Sequence, residues 1–112
     1  MKSKLYEHIK CFDGYSVSVQ AGVSKYCVPR DDIGPYTEVE LGYPSWPDPL
    51  LDPYAESPQK LTMTVYPHVP ANVVRDLVVK HGGATSGEAP AGVLILNANI
   101  LHIEEDKTND EG

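Results

Sequence analysis

Tyr15, Val17 and Val19 alternate with Ser16, Ser18 and Gln20, which is the period of two expected of a strand with one buried face. Ile9–Phe12 precede them, and Asp13-Gly14 lies between. That pair suits a tight turn, because glycine tolerates a positive φ. The pattern predicts a hairpin over 9–20. A second alternation covers Thr37–Tyr43, with Val39, Leu41 and Tyr43 on one face and Glu38, Glu40 and Gly42 on the other. Leu61–Tyr66 reads as a third strand, and Tyr26–Val28 as a short one that stops at Pro29.

Val73, Val74, Leu77 and Val78 recur at helical spacing, with Arg75, Asp76 and Lys80 on the opposite face. Pro70 suits the first helical position, and His81-Gly82-Gly83 supplies a cationic last turn and a left-handed cap. The spacing predicts a helix over 70–81. Ala84–Gly92 reads as a loop of small residues. The apolar run 93–103 favours a strand by its Ile and Val content, with a helix as the alternative. These elements predict a single α+β domain over 1–103, with four or five mostly antiparallel strands, one helix and a long proline-rich loop. The polar segment 104–112 predicts a disordered acidic tail.

Residues 29–58 hold seven of the ten prolines, the single Trp and three of the seven tyrosines. Prolines 44, 47, 49, 53 and 58 forbid a central strand or a long helix there. The segment 44–60 therefore predicts an extended loop, with one helical turn at Leu50-Leu51-Asp52. Trp46, Leu50, Leu51 and Tyr54 give it enough apolar surface to be ordered.

The net charge of −7 is unevenly spread. Residues 31–59 carry seven carboxylates and neither Lys nor Arg, whereas 1–30 carry five basic and two acidic groups. Nucleic-acid binding through a broad basic face is disfavoured, since phosphate affinity needs clustered cations. No stretch reaches the roughly 20 apolar residues of a membrane helix, and Tyr6-Glu7-His8 interrupts any signal-like start. Cys11 and Cys27 lack zinc-site spacing and read as small buried thiols in a reducing cytoplasm. The histidines 8, 68, 81 and 102 are scattered, so no metal or cofactor is expected. Glu38 and Glu40 sit on the polar face of a strand, Gly82-Gly83 lies at the wrong end of a helix for phosphate, and Ser86 lacks the flanks of a nucleophile elbow. No enzymatic constellation emerges.

Contact residues are better represented. Asp31, Asp32, Asp48 and Asp52 provide acidic groups, and Tyr36, Trp46 and Tyr54 provide rings. Trp46 either plugs the edge of a small core or stands out as a contact hot spot. Arg30, the last cation before the acidic segment, either pairs with its neighbours or anchors an anionic ligand beside Tyr26 or Tyr36.

Six runs, KCFDGYSVSVQ (Lys10–Gln20), YCVPR (Tyr26–Arg30), GPYTEVELGYPS (Gly34–Ser45), YAE (Tyr54–Glu56), VYPHVP (Val65–Pro70) and HGG (His81–Gly83), together resemble small uncharacterised accessory proteins of tailed bacteriophages. The resemblance spans about residues 9–83. It implies a protein working in the cytoplasm of an infected bacterium, a setting in which small phage proteins often inhibit a host or host-defence protein or sequester a signal. Joined to the acidic, aromatic segment, it leads to an expected function as a non-enzymatic inhibitor of a host protein with a basic surface. The alternative is a small-molecule binder that sequesters a nucleotide-like signal between tyrosines and Arg30.

Overall fold

The computed structural model describes residues 4–101. The expected acidic tail at 104–112 lies outside the described residues. Five strands form one sheet in the order β4-β3-β2-β1-β5: β1 (Ile9–Cys11), β2 (Ser16–Gln20), β3 (Glu38–Gly42), β4 (Val65–Pro70) and β5 (Ala84–Ser86). All neighbouring strands are antiparallel. Helix α1 (Ala71–Lys80) and a short helix α2 (Ala98–Leu101) complete the α+β domain. The two alternating stretches make the centre of the sheet, as their periodicity predicts. Ile9 faces Val17, Val19 faces Leu41 and Val39 faces Val69. These side chains form the inner face, against which α1 buries Val74, Leu77 and Val78.

The hairpin turns at Gly14, whose φ is +97°. Helix α1 begins one residue later than expected, because Pro70 closes β4 and acts as the N-cap instead of the first helical residue. At the other end Gly82 and Gly83 have φ values of +91° and +90°. The hairpin tip then covers the helix terminus: Phe12 N–H donates to Gly83 O (2.9 Å) and Asp13 N–H to His81 O (3.2 Å).

Several expectations are corrected. The strand foreseen at 61–66 starts only at Val65, because its last partner in β3 is Gly42. Residues 60–63 turn instead, with Met63 N–H on Lys60 O and the Tyr66 hydroxyl on Leu61 O. The run continues to Pro70 through two prolines, which β4 tolerates as an edge strand with a bulge. Pro67 and His68 together oppose Glu40, and His68 takes a φ of +54°. Second, 84–92 is not all loop, since Ala84–Ser86 pairs with β1. Its small residues have low strand propensity, yet they allow close approach: a side chain at Gly87 would meet His8 O at 2.3 Å.

Third, 93–103 contains no regular strand among the described residues. Asn97 makes one parallel bridge to Ala84, and its side chain then accepts the Asn99 N–H (2.7 Å) and starts α2. Fourth, Tyr26–Val28 contributes a single bridge from Val28 to Glu38. The proline-rich segment is ordered, with Leu51 fully buried and a 3-10 turn at Asp52–Tyr54, two residues after the expected helical turn. Tyr43 does not share the inner face of Val39 and Leu41. It lies beyond β3 with φ +51° and is half exposed.

Candidate functional site

The hairpin tip, the end of α1 and the proline-rich loop meet at His81. Its Nδ1 lies 2.6 Å from Asp13 Oδ2 and its Nε2 2.7 Å from Asp48 Oδ2. Each ring nitrogen therefore faces a carboxylate oxygen at hydrogen-bond distance. Tyr15 stacks on the imidazole at 3.9 Å between centroids, nearly parallel, and Trp46 packs edge-on against both rings at 5.2 and 5.8 Å. Asp48 is 2% exposed and carries the heaviest load. It accepts from Leu50 N–H (2.9 Å), Lys80 Nζ (3.0 Å) and His81. Burial alone would raise its carboxyl pKa, but the Leu50 amide, His81 and Lys80 outweigh burial and hold it below the usual range. Asp13 is lowered in the same way: burial opposes, and the Tyr15 amide and His81 prevail.

This arrangement fastens the loop. Both ring nitrogens of His81 are occupied by carboxylates, so neither faces an open site. Cys11 is no nucleophile either, because burial and the nearby Asp13 charge push its thiol up to about 11. Among the described residues no group of three or more His, Cys, Asp or Glu side chains is arranged to hold a metal. No described helix is long and apolar enough to cross a membrane.

The residues proposed from sequence divide into two groups. Trp46, Asp48, Asp52 and Tyr54 belong to the loop fastened at His81. Trp46 keeps 40% of its surface exposed, and Asp52 is exposed. Asp48 is not an exposed contact, because it is the buried acceptor of the loop. Tyr54 leans on the core. Arg30, Asp31, Asp32 and Tyr36 form the second group. Arg30 Nε donates to Val23 O (3.0 Å), and its guanidinium lies 5.7 Å from the centre of the Tyr26 ring. Asp31 accepts from Gly34 and Ile33 N–H groups, which lower its pKa. Asp32 is exposed and accepts from Val23 N–H. Tyr36 is buried and donates its hydroxyl to Asp31 O, so it is structural and cannot stack on a ligand beside Arg30.

Sequence reasoning missed Phe12 and the role of His81. Phe12 is 62% exposed at the hairpin tip, and a side chain at Gly82 would meet its Cβ at 2.8 Å. Phe12 and Trp46 therefore flank the end of α1. The available signal was an aromatic residue beside a predicted turn. For His81, nothing local marks two carboxylates that are 68 and 33 residues away.

The Tyr15 hydroxyl is buried, with no hydrogen-bond partner among the described residues. Tyr15→Phe is expected to keep the stack and raise stability by about 1 kcal/mol, since an unsatisfied buried hydroxyl costs about 1–3 kcal/mol. Urea unfolding measures this, and a clear loss of stability would mean that the hydroxyl has a partner. Comparison with family models, curated proteins and solved structures finds no match for this chain.

Proposed function

We propose that this chain is a non-enzymatic binding protein whose contact surface is built on Trp46 and Phe12 and rimmed by Asp13, Asp52 and Leu50. The reading rests mainly on one observation. Trp46 is held on a rigid base of Tyr15 and His81 while much of its ring stays in solvent. Trp is among the residues that dominate interface energetics, and a loop fixed before binding loses less entropy on association. The seven carboxylates and absent cations of residues 31–59, the segment that carries Trp46, favour a partner with a basic surface. The resemblance to phage accessory proteins favours a host or host-defence protein as that partner, with inhibition as the outcome. The spent ring nitrogens of His81 and the raised Cys11 pKa support a non-enzymatic role.

The test is capture of a partner from bacterial lysate, followed by measured affinity for that partner. Trp46→Ala with Phe12→Ala is expected to weaken binding by at least about thirtyfold, the effect of losing a single anchor worth about 2 kcal/mol. Tyr26→Ala with Ile33→Ala, in the other exposed region, is expected to leave affinity unchanged. A folded Trp46/Phe12 double variant that binds like the parent rejects the surface.

A further inference from the structure

The sheet face opposite α1 is not flat. A cleft of about 410 Å³ opens there, its lining including Tyr6, Ser18, Gln20, Lys25, Glu40 and Tyr43. Its volume falls within the range of roughly 300–1,000 Å³ typical of small-molecule sites. We propose that it binds a ribonucleoside monophosphate, with the base on Tyr43, the ribose on Glu40 and the phosphate at Lys25.

The floor follows from the strand register. Gln20 faces Glu40 and Ser18 faces Gly42, so these positions project from the outer face. Gly42 adds no side chain to that floor, and a Cβ there would touch Val65 Cγ1 at 3.8 Å. One wall is fixed by the N-terminal strap. Tyr6 N–H donates to Gln20 Oε1 (2.9 Å), and Gln20 Nε2 donates to Tyr6 O (2.6 Å) and Ser18 Oγ (3.0 Å).

Tyr43 stands at the end of β3 with φ +51°, held by its N–H on Thr64 O (3.2 Å). Glycine would take that backbone conformation without strain, yet the chain carries a half-exposed tyrosine there. Strain retained around an aromatic ring at a cleft points to a use for the ring. Glu40 is oriented by the Tyr26 N–H on its Oε1 (3.0 Å). A fixed carboxylate is a suitable acceptor for a ribose diol. Lys25 lines the same cleft and precedes Tyr26, whose N–H holds Glu40. The order Tyr43, Glu40, Lys25 thus follows base, sugar, phosphate. With one lysine in the lining, and a chain of net charge −7, a single phosphate is matched and a polyanion is not.

None of the residues lining the cleft belongs to the Trp46 surface, and the test needs only the purified chain. Amide NMR shifts are followed during titration with AMP, GMP, CMP and UMP, and with dAMP, adenosine and inorganic phosphate. At least one ribonucleotide is expected to give saturable shifts at Ser18, Gly42, Tyr43 and Val65. Its deoxy form and its nucleoside should each bind several-fold more weakly. Tyr43→Gly is expected to melt at an unchanged temperature, because glycine relieves the strain, and to lose at least tenfold in affinity. Lys25→Ala should abolish the preference for nucleotide over nucleoside. The proposal is overturned if no nucleotide gives saturable shifts at millimolar concentration, or if the shifts map to another surface. Equal affinity in folded Tyr43→Gly also overturns it.

Discussion

Asp48→Ala is expected to destabilise the protein by roughly 3–5 kcal/mol, because the Leu50 amide and His81 Nε2 both lose their partner, at about 1–3 kcal/mol each. The variant leaves His81 beside Asp13 alone, and it leaves the Leu50 N–H without its acceptor. Lys80 is about half exposed, so losing its bond adds little. For a domain of this size the melting temperature should fall by well over ten degrees. Fluorescence of the single Trp should shift to the red, because the loop carrying Trp46 is no longer tied to α1. Asp48→Asn, which keeps an acceptor for Leu50, should lose less. An unchanged melt in Asp48→Ala would show that the His81 cluster does not hold the loop.

The same cluster sets an acid limit. The folded pKa values of Asp48 and Asp13 lie below their unfolded values, which are about 3.9. Their stabilisation is therefore fully present above about pH 4–5 and is lost as pH falls through the folded values. Melting temperature should drop as pH falls through that window. Asp48→Ala should show a shallower acid dependence than the parent.

Gly83→Ala is expected to have the second large effect. Its φ is +90°, and an added Cβ would lie 2.7 Å from Ala98 Cα and 2.8 Å from Ala98 N. Both are backbone atoms at the start of α2, so relief requires moving the whole turn. Gly14→Ala separates the two costs, since φ there is +97° and nothing lies within 4 Å of the added Cβ. The Gly14 variant should lose about 1–3 kcal/mol, the usual cost of a sparsely populated backbone region. The Gly83 variant should lose clearly more, and chemical denaturation of the two measures the difference. Equal losses would mean that α2 yields freely to the added methyl group.

Gly83 also marks how far the sequence could be read. The glycine pair after a valine-rich helical stripe identified the end of α1 from local rules. The contact with Ala98, fifteen residues on, left no local trace. The same contrast runs through the candidate site. Trp46 and Asp52 were recognised by residue type and remain on the surface. Asp48 and Tyr36 have the same types, but they are buried as a fastening point and a core ring.

Periodicity by itself determined the central strands, the helix and the α+β class. Each of those elements buries one face, and burial writes a repeat into the adjacent residues. Only the tertiary structure decided the pairing of Ala84–Ser86, the helical turn after Asn97, the bulge at His68 and the Asp13–His81–Asp48 cluster. These features depend on partners distant in sequence and on edges where pairing runs out, and neither leaves a periodic signal in the residues involved.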